Sequence, residues 1–112
     1  METTERIAKL NDMFRSTLTF GGKAVLTAGV ANLGPEAIKA ITKQVREFAD
    51  FDAGEDGNDP YNEHDFGAFD YAGNRFFWKI DYYDNNYEYG SENPADPTIT
   101  RRVLTIMLAS EY

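Results

Sequence analysis

From Asp65 onward the chain has a hydrophobic period of two, and that constrains its fold more than any other feature. Phe69 and Tyr71 fall on one side of an extended segment, and Phe66, Ala68 and Asp70 on the other. Ala72-Gly73-Asn74 reads as a hairpin turn. On the return, Phe76, Trp78, Ile80 and Tyr82 alternate with Phe77, Lys79, Asp81 and Tyr83. Asp84-Asn85-Asn86-Tyr87 reads as a second turn, because Asn tolerates the positive φ of tight hairpins. A two-residue Asn85-Asn86 loop predicts Tyr87-Glu88-Tyr89 as the last strand, with Tyr82 opposite Tyr89 and Tyr83 opposite Glu88.

Helical spacing flanks this meander. Ile7, Leu10 and Phe14 recur on one face of a first helix, capped by Thr3 or Thr4 and ending near Thr17, with Arg6, Lys9, Asn11, Asp12 and Arg15 elsewhere. Ala24–Ala28, bounded by glycines, predicts a buried or edge strand. Pro35 opens a second helix with Ile38, Ile41, Val45 and Phe48 inside. Asp96 and Pro97 read as the start of a last helix, with Ile99, Val103, Ile106 and Met107 inside. The expectation is one α+β domain over residues 1–112. It has an antiparallel sheet, a three-strand meander plus one further strand, covered on one face by about three helices. The other face, with Phe66, Phe77, Lys79, Asp81, Tyr83 and Glu88, stays partly open, and Lys79 is its lone cation.

Charge narrows the partners. The net charge is −8. Residues 50–96 carry thirteen acids against Arg75 and Lys79, or −11, and the remainder carries six acids against nine bases, or +3. A concentrated negative field repels nucleic acid and membrane surfaces and attracts basic partners. The absence of cysteine excludes disulfides, thiol nucleophiles and thiolate metal sites. No apolar run is long enough to span a membrane, and the first residues lack a secretory pattern, so a cytoplasmic location without cofactor is expected.

Three candidate sites compete with plainer readings. Glu63-His64-Asp65 could supply a general base, but no second histidine or nucleophile accompanies it. A structural tie between the Asp59-Pro60 turn and the sheet is the plainer role. Asp52, Asp56, Asn58 and Glu63 fall at calcium-loop positions, yet Gly54 stands where a ligand belongs and Pro60 at position nine. Tyr82, Tyr83, Tyr87 and Tyr89, interleaved with Asp81, Asp84 and Glu88, suit either a recognition surface or cross-strand packing.

Asn58–Gly67, Asn-Asp-Pro-Tyr-Asn-Glu-His-Asp-Phe-Gly, and Phe77–Asp84, Phe-Trp-Lys-Ile-Asp-Tyr-Tyr-Asp, resemble a small bacterial domain family of unknown function carried on plasmids and other mobile elements. Leu10-Asn11-Asp12, Leu26-Thr27-Ala28-Gly29-Val30, Leu33-Gly34-Pro35 and the run Arg102–Leu108 extend the resemblance over nearly the whole chain. It brings no established activity, fold or catalytic residue. Its genomic setting implies an inhibitor of a host defence complex, of anti-CRISPR or anti-restriction type. The resulting expectation is a non-enzymatic acidic protein that mimics nucleic acid on a basic protein surface. Asp56, Asp59, Glu63, Asp81, Asp84 and Glu88 make its contacts, with Tyr61, Tyr83 and Tyr87 as anchors. The alternatives are a small hydrolase-like enzyme using Glu63, His64 or Asp65, and a homodimer burying Phe66 and Phe77 on the open sheet face.

Overall fold

The computed structural model describes residues 3–51 and 62–112. Helix α1 spans Thr3–Thr17, strand β1 Gly22–Leu26, the short helix α2 Ala28–Ala31 and helix α3 Pro35–Glu47. Strand β2 spans Phe66–Tyr71, β3 Asn74–Tyr83 and β4 Arg101–Leu108, and a 3₁₀ turn covers Ala109–Glu111. The architecture is α+β with a four-strand mixed sheet in the order β1-β4-β3-β2. The β2–β3 and β3–β4 pairs are antiparallel and β1 runs parallel to β4, so the sheet is not the antiparallel one expected from the sequence.

The β2–β3 hairpin follows the period of two. Tyr71 pairs with Asn74 around Ala72 and Gly73, whose positive φ values (51° and 83°) are those a two-residue type I′ turn needs. Phe69 then lies opposite Phe76, and Gly67 opposite Trp78. The buried cluster joins Phe69, Phe76, Trp78, Ile80, Leu104 and Ile106 of the sheet to Phe14 of α1, Val30 of α2, and Ile41 and Val45 of α3. Each large apolar side chain buried there is worth about 1.5–3 kcal/mol. An exposed ion pair such as Lys79–Asp81 on the other side is worth less than about 1 kcal/mol. Strand β3 is therefore held by its Trp78 side.

The last segment differs from its expected helix. Residues 101–108 form β4, a central strand between β1 and β3. Arg102, Leu104 and Ile106 turn into the core, and Met107 is buried against the opposite side. With apolar residues wanted on both faces, the alternation is masked and mimics a helical stripe. Val103, Thr105 and Ile106 are also β-branched, which favours the strand. Asp96 caps no helix: its Oδ1 accepts bonds from Thr98 N and Thr98 Oγ1 in a turn.

The expected third meander strand is likewise absent among the described residues. Tyr87–Tyr89 is a loop, tied to β3 by a single bridge between Tyr83 and Gly90. Asp84 Oδ1 accepts bonds from Asn86 N and Glu88 N, which consumes amides a ladder would need. The far side of β3 is taken by β4 instead. The third helix is thus α2, which sequence periodicity does not single out.

Helix α1 carries a second correction. Its buried positions are Ile7, Ala8, Asn11, Phe14 and Arg15, so two polar side chains occupy the stripe and Leu10 is only half-buried. On the opposite side of the sheet, Phe66 and Phe77 pack against Tyr112, with ring centroids 5.9 and 5.5 Å away. None of the helices among the described residues is long and apolar enough to cross a membrane.

Candidate functional site

Two buried polar residues of α1, Asn11 and Arg15, organise the candidate site. Burying an amide is tolerable only when its hydrogen bonds are met, and Asn11 meets them across three elements. Its Nδ2 donates to Glu63 O and to Tyr82 Oη, both at 2.8 Å. Its Oδ1 accepts from Arg102 Nε at 2.5 Å. Arg102 also donates through Nη2 to Pro94 O at 2.7 Å, and its guanidinium lies 5.3 Å from the Tyr82 ring centroid. Burial pushes the Tyr82 hydroxyl well above the ordinary tyrosine range, against the smaller pull of the Asn11 bond. Burial likewise lowers the Arg102 pKa.

One turn along, Arg15 closes the end of α3. Its Nη1 donates to Val45 O at 3.0 Å and Phe48 O at 2.8 Å, at the helix end where carbonyls run short of intrahelical donors; Val45 O also accepts the Phe48 amide. Its Nη2 donates to Asp12 Oδ1 at 2.8 Å. The guanidinium lies 5.2 Å from the Phe51 centroid and 5.0 Å from that of Trp78. Removal from water lowers its pKa, an effect that the Asp12 bond opposes.

Asp12 faces His64 as well. His64 Nδ1 is 3.0 Å from both Asp12 oxygens, and the imidazole stacks on Phe51 at 3.9 Å with planes 3° apart. His64 holds φ at 57°, a left-handed conformation that a non-glycine residue adopts only where its surroundings impose it. The kink lets consecutive residues serve different neighbours. Glu63 gives its carbonyl to Asn11, His64 its ring to Asp12, and Asp65 its carbonyl to Ile80 N at 2.8 Å. The carboxylate on the imidazole nitrogen thus comes from 52 positions away. Sequence reasoning leaves Asp12 off the inner stripe of α1 and misses it. Its only sequence signal is the Leu10-Asn11-Asp12 motif, which carries no assigned role. An imidazole oriented through Nδ1 by a carboxylate has the form of a general base. The same contacts also clamp α1 to the entry of β2, a structural role different from the expected tie to the Asp59-Pro60 turn, which lies outside the described residues.

Of the expected partner-binding residues, Glu63 belongs to this cluster, and Asp81, Tyr83, Asp84, Tyr87 and Glu88 lie on β3 and the segment that follows it. Asp81 Oδ2 pairs with Lys79 Nζ at 3.0 Å, and that bond raises the lysine pKa. Tyr83 is half-buried opposite Arg101. Asp84 is engaged with the Asn86 and Glu88 amides. Tyr87 holds φ at 58° and lies beneath Lys23 Nζ, 4.5 Å from its centroid. Glu88 is exposed, and Tyr89 is 73% exposed. Glu92 is exposed and Asp96 half-buried on the same β3–β4 connection, though neither stands out as a binding residue in the sequence. Asp56, Asp59 and Tyr61 lie outside the described residues, as do Asp52 and Asn58 of the calcium-loop reading. Among the described residues, no group of three or more His, Asp or Glu is placed to hold a metal ion.

Residues 26–111 match the family described as Protein of unknown function (DUF3768), and the chain belongs to that family. None of the curated proteins matches it, and no solved structure does.

Proposed function

We propose that this member of a family without an assigned activity is a non-enzymatic acidic binding protein, whose β3–β4 connection docks on a basic surface of a protein partner. The observation that carries this reading is the make-up of residues 84–96. Asp84, Glu88, Glu92 and Asp96 fall within thirteen positions that contain no Lys or Arg, beside the exposed rings of Tyr87 and Tyr89. Internal hydrogen bonds, in which Asp84, Ser91 and Asn93 side-chain oxygens accept from the Asn86, Asn93 and Ala95 amides, hold the segment in shape, so little ordering cost remains for binding. Carboxylates steer association with Arg and Lys, and tyrosines add rigid contact area. A basic surface of this kind is one that ordinarily takes nucleic acid, and a host defence complex is the partner class that the mobile-element resemblance suggests.

The experiment is capture of the partner from host lysate by the full chain, repeated with a Glu88→Gln/Glu92→Gln variant. These two carboxylates are the suitable targets, because Asp84 and Asp96 also hold turns together. Capture of a basic protein that weakens from about 0.05 to about 0.5 M salt, and in the variant, supports the reading. Affinity indifferent to both refutes it.

The enzyme reading retains one specific observation, the Asp12–His64 contact. A folded His64→Ala chain separates the two. Under the binding reading it captures the partner as the parent does, whereas a general-base role requires that a measured turnover vanish.

A further inference from the structure

We infer that the cleft between α1 and the Pro97–Arg102 segment is a binding site for a small amphipathic carboxylate, with Arg102 as the counter-charge for its head. Two arginines of this molecule make the contrast. Arg15 and Arg102 are equally buried, 4% and 3% exposed. Arg15 has a carboxylate partner in Asp12. Arg102 has only neutral ones, the Asn11 amide oxygen and the Pro94 carbonyl, and among the described residues no acid forms an ion pair with it. A guanidinium stays protonated even when desolvated, so the charge remains and lacks its anion. Taking such a charge out of water costs several kcal/mol unless an opposite charge offsets it.

Arg102 also keeps a donor in reserve. Its Nη1 makes no hydrogen bond among the described residues. Yet it is not one of their sealed and partnerless nitrogens, which are Arg15 Nε and Trp78 Nε1. Arg102 lines a cavity of about 460 Å³, within the range of small-molecule sites.

The walls specify the rest of the ligand. Leu10, Met13, Phe14, Phe20 and Pro97 are apolar, and the hydroxyl of the lining residue Thr100 is already engaged with Asn93 O and Ser91 Oγ. Met13 and Phe20 are 62% and 80% exposed, two large apolar side chains left in water beside an apolar cleft. A small hydrophilic anion would use the cation and none of these walls. A neutral apolar molecule would use the walls and leave the cation unmatched. One negative head on an apolar body uses both. The cleft also belongs to the part of the chain outside residues 50–96, whose net charge is +3. The cleft abuts the acidic docking segment, because Arg102 donates to Pro94 O and Thr100 Oγ1 to Asn93 O, but its lining residues are not those that make the acidic contacts.

The test is calorimetric titration of the full chain with decanoate below its micelle concentration, beside decanol and inorganic phosphate, with methyl and arginine Nε–H resonances followed by NMR. The expected result is saturable binding of one decanoate that shifts the Met13 methyl and the Arg102 Nε–H. Decanol binds at least about tenfold more weakly and phosphate not measurably. Phe20→Glu sets a like charge at the mouth without touching the core, and weakens decanoate by at least about tenfold. Arg102→Met, if folded, makes decanoate and decanol bind alike. The inference is overturned if decanoate does not saturate, if decanol matches it on the parent chain, or if Phe20→Glu leaves its affinity unchanged.

Discussion

Asn11 Oδ1 accepts a 2.5 Å hydrogen bond from Arg102 Nε across 91 positions of sequence, with both side chains buried. The same amide holds Tyr82 and the carbonyl before His64. Asn11→Ala therefore strips partners from three buried or half-buried groups at once. Leaving a buried polar group unmatched costs about 1–3 kcal/mol. The expected loss of stability is about 3 kcal/mol, read by urea unfolding followed through Trp78 fluorescence. A loss below about 1 kcal/mol would mean that water replaces the amide.

Gly67 is required by the ring across from it. A Cβ at this position would overlap the Trp78 indole nitrogen and ring carbons. Because Trp78 is wholly buried, it has nowhere to move. Gly67→Ala should cost about 1–3 kcal/mol through overpacking and shift the Trp78 emission. An unchanged midpoint and spectrum would show that the hairpin slides to make room.

The raised pKa of Tyr82 fixes the direction of an alkaline effect. Below the ordinary tyrosine value of about 10, folded and unfolded chains both hold the proton. Above it the unfolded chain releases the proton while the folded chain retains it, so stability falls from about pH 10 upward. Tyr82→Phe should lower stability by about 1 kcal/mol at neutral pH, through the lost Asn11 bond, and flatten that alkaline decline. Unfolding midpoints between about pH 9 and 11 measure both effects.

Glu111 sets the matching acid effect at the other end of β4. Its carboxylate accepts from Thr27 Oγ1 at 2.6 Å, Leu108 N at 2.9 Å and Gly29 N at 3.0 Å, and the Thr27 bond is the largest cause of its lowered pKa. A lowered folded value means that the contribution is present at neutral pH and is lost as pH falls through the carboxylate range and below it. Amide exchange at Gly29 and Leu108 should accelerate there first, and Glu111→Gln should show the same acceleration at neutral pH. Uniform exchange in acid would deny the clamp.

The legible parts of the fold are those decided locally. The β2–β3 hairpin announces itself because one face is core and the other is half-open, so alternation survives between Phe76 and Tyr83. Pro35 and the spacing of Ile41 and Val45 do the same for α3. β4 reads as a helix because a central strand wants apolar residues on both sides, which erases the alternation. Tyr87–Tyr89 reads as a strand because nothing in its own residues shows that one carboxylate, Asp84, captures the amides that pairing needs. The polar cluster around Asn11 is not legible either. A helix wheel places Asn11 and Arg15 on the inward side only if buried polar groups are allowed there. For Asn11 that licence comes from Tyr82, Glu63 and Arg102, and for Arg15 chiefly from the Val45 and Phe48 carbonyls, none of which is local to α1.

The parallel pairing of β1 with β4 has a consequence for how the chain is made. Gly22 meets Arg102, and Leu26 meets Ile106, so β1 leaves a ribosome well before the strand it pairs with. Until β4 emerges, β1 has no ladder and β3 has only its hairpin mate. Such distant closures slow folding and prolong the exposure of unpaired edges. A nascent chain halted before Arg101 holds the α1, α3 and hairpin sequences with no strand to join them, which makes the emergence of β4 the step that commits the whole sheet.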